Sequence, residues 1–148
     1  MGEEVCLVKM SPADVEAFLA REFPQIARSG DFTVVETGSM TAKLRLNCHE
    51  RHLRPGRTVS GPTMFALADI GIWIAVLAQI GPVGMAVTTN LNINFLRLPG
   101  DVDLVADCRL LKLGKRLAVG EGVITPARGG EPVAHATATY SIPPGAVK

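Results

Sequence analysis

The fold of this chain is decided by one stretch, SGPTMFALADIGIWIAVLAQI at residues 60–80. Ser60 is typical of a helix N-cap, and Pro62 is tolerated in a first helical turn. Gly81-Pro82 predicts that the helix ends after about Gln79. Because this helix is apolar around its whole circumference, other elements must cover it. We therefore expect a long central helix buried inside the protein.

Asp69 is the single ionisable residue between Arg57 and Arg97, and it lies in the middle of this helix. A carboxylate in apolar surroundings costs free energy unless it is paired, hydrogen-bonded or protonated, and such groups concentrate at functional sites. Asp69 lies more than two turns inside the helix, so it cannot be an N-cap. A backbone hydrogen bond or a subunit interface would be a purely structural explanation. We expect Asp69 to be the working acid of an enzyme.

Other properties of the sequence exclude several classes of protein. The central stretch is long enough to span a bilayer, but an acid at its centre would cost about 2.5–3.5 kcal/mol. The N-terminal MGEEVCLVKM does not resemble a secretory signal. The 15 basic residues nearly balance the 14 acidic ones, so neither nucleic acid nor a membrane surface is expected as a partner. The isolated cysteines Cys6, Cys48 and Cys108 favour a reducing cytoplasm, with no metal site and no disulfide framework.

The remaining sequence predicts one helix and six strands. Ser11-Pro12-Ala13-Asp14 indicates a short helix ending near Phe23, so that residues 1–30 form an N-terminal helical extension. Alternating patterns predict two strands within residues 32–47, around a turn at Gly38-Ser39, and strands at residues 85–96, 102–112, 116–125 and 132–142. Residues 48–59 are interpreted as an exposed loop.

Short turns between successive strands predict antiparallel neighbours. We interpret residues 1–148 as a single α+β domain with an antiparallel sheet curled around the central helix.

The start of the central helix is a candidate anion site. Free backbone N–H groups and the positive end of the helix dipole can hold an anion or a developing oxyanion. Pro62 has no N–H, so Gly61 and Thr63 remain as donors. An ordinary capped helix start is the alternative.

The strand at residues 87–95 alternates between an apolar and a polar face. Its apolar face, expected to cover the central helix, comprises Thr89, Leu91, Ile93 and Phe95. Its polar face comprises Thr88, Asn90, Asn92 and Asn94. Asparagine is unfavourable in strands, so the polar face is expected at a subunit interface, at a site or in solvent.

Basic residues form two clusters that suit the phosphates of a ligand such as coenzyme A, or a solvated surface. One cluster is Arg51, His52, Arg54 and Arg57; the other is Arg109, Lys112, Lys115 and Arg116. His52 and His135 lack the spacing of a metal pair, and no nucleotide-binding motif is present.

Two stretches, RPGRTVSGPTMFALAD at residues 54–69 and NFLR at residues 94–97, resemble the hotdog-fold thioesterases of the phenylacetate-degradation (PaaI-like) type. The resemblance extends over residues 32–142. It implies five or six antiparallel strands wrapped around one long helix. It further implies hydrolysis of an acyl- or aryl-CoA thioester without a cofactor, by a homodimer or homotetramer with its sites at the subunit interface.

The resemblance also implies roles for individual residues. Asp69, nine residues after Ser60, corresponds to the family's general base or nucleophile. Gly61 N–H of the partner subunit corresponds to the oxyanion donor, and Thr88 to a residue that assists the attacking water. The family's His-Gly-Gly is Ser60-Gly61-Pro62 here, and its Asn is Arg54. The residues expected to bind substrate are Arg54, Ser60, Pro62, Thr63, Phe65, Trp73, Thr89, Lys115 and Arg116.

Two other functions compete with thioester hydrolysis. The chain could be a non-catalytic hotdog protein that binds acyl-CoA or a small lipid. A hotdog hydratase would need a histidine beside Asp69, which only His52 or His135 could supply. Phe65 and Trp73 each lie one turn from Asp69, where they would line an acyl pocket or pack in the core.

Overall fold

A computed structural model describes residues 7–147 of the chain. The helices are α1 (Pro12–Glu22), α2 (Pro24–Ala27) and α3 (Gly61–Ile80), with a single 3-10 turn at Glu50–His52. The strands are β1 (Phe32–Gly38), β2 (Thr41–Leu46), β3 (Leu53–Arg54), β4 (Thr58–Val59), β5 (Val87–Phe95), β6 (Leu104–Leu113), β7 (Leu117–Pro126) and β8 (Ala134–Ser141). Cys6 lies outside the described residues.

Six strands form one antiparallel sheet in the order β1-β2-β6-β7-β8-β5, and α3 packs along one of its faces. The predicted α+β architecture, a sheet of six strands around one long helix, is therefore confirmed. β3 and β4 form a separate two-stranded hairpin just before α3.

α3 begins and ends where its sequence indicates. The Ser60 side chain accepts a hydrogen bond from Thr63 N, and Gly81, at φ 94°, ends the helix. The helix approaches the sheet so closely that a Cβ on Gly71 would lie 2.8 Å from the Cys108 sulfur. α3 is long and apolar enough to cross a membrane, but most of it is buried as the core helix of this fold.

The expectation that α3 is covered on all sides is wrong for the chain taken alone. The sheet covers one side of the helix, while Pro62, Phe65, Asp69 and Trp73 are exposed or half-buried on the other. These positions recur every three or four residues, so they form one stripe along the helix. An open six-stranded sheet curls around a helix from one side only, which leaves this stripe uncovered.

The N-terminal helix α1 is anchored to the rest of the domain. Ser11 and Asp14 form a capping box at its start, as the sequence indicates. The Glu16 carboxylate accepts a hydrogen bond of 2.9 Å from Val34 N on β1. Phe18 and Leu19 are buried in the core. The extension is therefore part of the packed structure.

The predicted pairing of the strands at residues 85–96 and 102–112 is wrong. β5 pairs with β8 at the edge of the sheet, whereas β6 lies between β2 and β7. The connection at residues 96–103 can span roughly 26 Å when extended, and strands three positions apart are separated by about 14 Å. This connection is therefore long enough to cross the end of the sheet.

The segment at residues 48–59 is more ordered than the expected exposed loop. His52, Thr58 and Val59 are buried. Val59 N donates to Gly100 O at 2.9 Å, and His52 O accepts a hydrogen bond of 2.9 Å from Ser60 N. These backbone hydrogen bonds explain why a polar, proline-containing segment packs against the domain.

Candidate active site

Asp69 is held by two hydroxyl groups from the sheet. Thr88 Oγ1 donates to Asp69 Oδ1 at 2.7 Å, and Tyr140 Oη lies 2.6 Å from the same oxygen. Within residues 7–147 the side-chain donors that reach Asp69 bind Oδ1 and the main-chain oxygen, and none binds Oδ2. Asp69 is half-buried, not fully buried as expected, because it lies at the edge of a cavity. One carboxylate oxygen is thus fixed while the other can meet a substrate or water.

Tyr140 is a site residue that the sequence analysis missed. It is the only tyrosine of the chain and lies on β8, 1% exposed. Its hydroxyl also contacts Asp69 O at 2.5 Å. Burial and the neighbouring Asp69 carboxylate raise the pKa of Tyr140, so it remains a neutral donor. Its position in an alternating strand showed that it could face the helix but not which helical residue it would meet.

A β-bulge reverses the predicted orientation of Thr88. Thr88 pairs with Tyr140 and Asn90 with Thr139, which leaves Thr89 as an extra residue. The extra residue returns Thr88 to the face that also carries Leu91, because side-chain alternation restarts after a bulge. The strict alternation that placed Thr88 on the opposite face is therefore wrong at this position. Thr89 instead donates its hydroxyl to Thr139 O at 3.2 Å.

The start of α3 leaves one of the two expected backbone donors available. Thr63 N donates to Ser60 Oγ at 3.3 Å, so the N-cap uses this N–H. Gly61, in the first turn, has no acceptor within the helix. A Cβ on Gly61 would lie 3.3 Å from the Phe95 ring, so the helix start packs closely on the end of β5. Pro62 is exposed beside it.

Gly61 and Asp69 lie at different places along one helix. Eight residues separate them, which corresponds to about 12 Å at 1.5 Å per residue. One small carbonyl group cannot contact both residues of a single chain. The candidate site therefore has two halves within the chain. The acid half comprises Asp69, Trp73 and Thr88, and the helix-start half comprises Ser60, Gly61, Pro62 and Thr63.

The basic clusters differ in how far their charges are neutralised. Arg57 pairs with Glu50 and Asp101, and Arg109 pairs with Glu121. Arg54 is exposed and makes only a weak contact of 3.3 Å to Pro55 O.

Lys115 and Arg116 lie on the β6–β7 hairpin and are exposed. Tyr140 on β8 pairs with Ala118 of β7 on one side and with Thr88 of β5 on the other. The β6–β7 hairpin therefore projects from the end of the sheet at which Thr88 lies. Arg116 donates to Ile142 O at 3.0 Å.

None of the three histidines forms a hydrogen bond with Asp69 in this structure. His52 Nε2 lies 3.0 Å from Asp31, and its Nδ1 accepts a hydrogen bond from His49 N. Burial acts to raise the pKa of Asp31, but hydrogen bonds from His52 and Arg51 together hold it below its usual value. His135 is bonded to Glu121 at 3.2 Å. Within residues 7–147 the histidines thus pair with Asp31 and Glu121, and none forms with Asp69 the pair that a hydratase would need there.

A cavity of about 430 Å³ adjoins Asp69 and Thr88. Trp73 lines it, as expected, whereas Phe65 lies outside its lining and is 40% exposed. Residues 7–147 contain no group of three His, Cys, Asp or Glu side chains able to hold a metal ion. The arrangement thus offers a carboxylate with one free oxygen beside an apolar cavity.

Comparisons with known proteins agree with this architecture. Residues 56–138 match the family model described as the thioesterase superfamily. A candidate thioesterase from Silicibacter sp. TM1040 is 44% identical, with a TM-score of 0.86, over 95% of this chain and 97% of its own. Zebrafish thioesterase superfamily member 2 is 20% identical, with a TM-score of 0.77, over 91% and 100% of the two chains.

A mutant of the phenylacetic acid degradation protein PaaI from Thermus thermophilus is 21% identical, with a TM-score of 0.69, over 80% and 99% of the two chains. A comparison with curated proteins gave no significant match. At these lower identities the similarity shows the fold alone.

Proposed function

The chain belongs to the thioesterase superfamily, and on that basis we propose that it hydrolyses an acyl- or aryl-CoA thioester with Asp69 as the reactive acid. Membership supports thioester hydrolysis as the general activity and agrees with the PaaI-like resemblance of residues 54–69. The observation that carries the proposal is the Asp69 carboxylate, whose Oδ1 is held by Thr88 and Tyr140 and which borders an apolar cavity.

Asp69 acts by one of two routes. As a general base, Oδ2 takes a proton from water, the water oxygen bonds to the thioester carbon, and the C–S bond breaks to release the thiolate of coenzyme A. As a nucleophile, Oδ2 bonds to the carbon and expels the thiolate, and water then hydrolyses the anhydride. In both routes the hydroxyls of Thr88 and Tyr140 keep Oδ1 in place.

The developing oxyanion is stabilised by Gly61 N–H of a second subunit. This N–H belongs to the positive end of α3 and has no acceptor within the helix. The separation of about 12 Å between Gly61 and Asp69 in one chain argues for a site shared by two chains. The exposed stripe on α3 and the edge strand β5 are surfaces that a partner would cover. We infer a homodimer, which pairs further into a homotetramer.

The coenzyme A portion binds at exposed basic side chains. Arg54, Lys115 and Arg116 are exposed. Arg54 stands where the resembled family has Asn, and it brings a guanidinium suited to phosphate. The carbonyl-binding side of the site is completed by the residues around the helix start, which are Ser60, Pro62, Thr63 and Phe65. Thr89 supports the bulge that orients Thr88. The free Cys48 and Cys108 fit a reducing cytoplasm.

A second candidate function is binding of acyl-CoA or a small lipid without turnover. It is favoured by the replacement of the family's His-Gly-Gly with Ser60-Gly61-Pro62. The exposed Pro62 removes a backbone donor from the first turn. In this case the cavity would hold the acyl group, but Asp69 would have no productively placed carbonyl.

Thiol release from a panel of acyl- and aryl-CoA thioesters distinguishes the two functions. We expect wild type to turn over at least one substrate and Asp69→Asn to lose at least about a hundredfold in kcat, because the side chain keeps its size but loses its charge. Leu111→Ala, at an exposed position of β6, is the control. Equal, slow release by wild type and Asp69→Asn across the panel would leave only the binding function.

A further inference from the structure

The cavity beside Asp69 is bounded on one side by a part of the chain outside the matched family model. Asp69, Ile70 and Trp73 of α3 form one wall. Phe18, Glu22 and Phe23, at the end of α1 and just after it, contribute another part of the lining. The model of the thioesterase superfamily matches residues 56–138 only. The N-terminal helix therefore adds a wall that the matched region does not contain.

This added wall is aromatic and firmly held. The Phe18 and Trp73 ring centroids are 6.0 Å apart at 55°, and those of Phe23 and Trp73 are 6.2 Å apart at 67°. Tilted and edge-to-face pairs of this kind are favourable beyond their buried area. Phe18 is buried, and its ring would touch a Cβ built on Gly84 at 3.6 Å. The wall is thus packed in place and limits the size of the cavity.

The chemistry of the lining indicates its occupant. Oxygen-bearing side chains come only from Asp69, Thr88 and Glu22. The other side chains that line the cavity are apolar except for the buried indole N–H of Trp73, which has no hydrogen-bond partner among the described residues. A thioester whose carbonyl carbon meets Asp69 Oδ2 carries its acyl group directly beside that carbon. The acyl group then removes apolar surface from water on entering the cavity. Glu22 lies at the exposed rim and pairs with Arg21 at 3.4 Å. An acyl group with its own charge would lose its hydration among the apolar side chains, which disfavours charged groups.

From this geometry we propose that the N-terminal helix, through Phe18 and Phe23, determines which acyl groups the enzyme accepts, and that these are uncharged, apolar groups of limited length. The proposal rests on the proposed thioesterase function. It assigns a specificity-determining role to residues 18–23.

Hydrolysis of a chain-length series tests this role. We would compare kcat/KM for acetyl-, butanoyl-, hexanoyl-, octanoyl- and decanoyl-CoA in wild type, Phe18→Leu and Phe23→Ala. Both substitutions enlarge the cavity, so the preferred chain should lengthen, with roughly a tenfold gain for the longer thioesters relative to acetyl-CoA. Leu19→Ala is the matched control, because Leu19 is a buried residue of α1 that does not line the cavity.

Two results would overturn the proposal. The preferred chain length could be the same in wild type, Phe18→Leu and Phe23→Ala, or Leu19→Ala could change it as much as they do. The second result would mean that the acyl preference depends on the stability of α1 and not on the residues that line the cavity. A glutaryl-CoA rate equal to that of hexanoyl-CoA would overturn the part concerning charge.

A binding measurement separates this proposal from the proposed function. Trp73 is the only tryptophan of the chain, so its fluorescence reports on the cavity directly. Octanoyl-CoA is titrated into Asp69→Asn with and without Phe23→Ala. If wild type hydrolyses no thioester, the proposed function fails, yet a several-fold change in Kd caused by Phe23→Ala still supports the cavity wall. An unchanged Kd would overturn the proposal that Phe23 forms part of the acyl-binding wall.

Discussion

The Tyr140 hydroxyl lies 2.6 Å from Oδ1 of Asp69, although 71 residues separate the two in sequence. The same hydroxyl contacts the main-chain oxygen of Asp69 at 2.5 Å. β8 thereby fixes both the side chain and the backbone of the candidate acid. Because Tyr140 remains neutral, its hydroxyl can only donate to the carboxylate.

Tyr140→Phe tests this relationship. We expect kcat to fall roughly tenfold with little change in KM, because the carboxylate loses a donor but the cavity keeps its shape. Tyr140→Phe in an Asp69→Asn background is the control and should cost no further activity. An additive loss would show that Tyr140 acts independently of Asp69.

Thr88 supplies the second donor to Asp69 Oδ1, at 2.7 Å. Thr88→Val keeps the branched shape but removes the hydroxyl, and we expect a loss in kcat of about tenfold. Thr88→Ser retains the hydroxyl and should keep most of the activity. Steady-state rates of the two variants are compared. Equal losses would mean that the methyl group, and not the hydroxyl, is needed.

Gly61→Pro removes the proposed oxyanion donor. Proline is compatible with the first position of a helix, so the change mainly deletes the N–H. We expect kcat to fall by about a hundredfold or more. Gly61→Ala is the control, because its Cβ meets Phe95 at 3.3 Å as that of proline would, while the N–H remains. Equal effects of the two variants would argue for steric disturbance.

Mixed dimers test whether each site uses two subunits. Gly61→Pro and Asp69→Asn chains are each expected to be almost inactive, but a dimer with one of each has one site with both groups intact. Co-expression with random pairing should restore about a quarter of wild-type activity. Affinity tags of two kinds allow the mixed dimer to be purified and assayed. No recovery would mean that Gly61 and Asp69 act within one chain.

Asp103 is expected to make the stability of the fold depend on pH. The Cys48 N–H and then the Arg45 guanidinium hold the pKa of Asp103 below its usual value. A lowered folded-state pKa contributes stability that is present above the ordinary value of about 3.9 and is lost as the pH falls through the folded-state value. Asp103→Asn should therefore lower the denaturant midpoint at neutral pH, and the difference from wild type should shrink in acid. Asp107→Asn is the control, because Asp107 is exposed on β6, which begins immediately after Asp103.

Local signals explain which predictions from sequence were confirmed. The bounds of α3 follow from the Ser60 cap and Gly81, and those of α1 from Ser11 and Pro24. Both depend on interactions within a few residues of the chain. The placement of β5 was wrong because a connection at residues 96–103 is compatible with several strand orders. The orientation of Thr88 was wrong because a bulge leaves no clear mark in an alternating pattern.

The sequence by itself determined the long apolar helix, the antiparallel strands and the single acid at position 69, since capping, periodicity and composition are properties of neighbouring residues. Only the tertiary structure decided which groups surround that acid. Thr88 and Tyr140 reach Asp69 because β5 pairs with β8 at a defined register. Phe18 and Phe23 reach Trp73 because α1 docks beside α3. Such contacts between distant segments depend on strand order and packing, which no local pattern specifies.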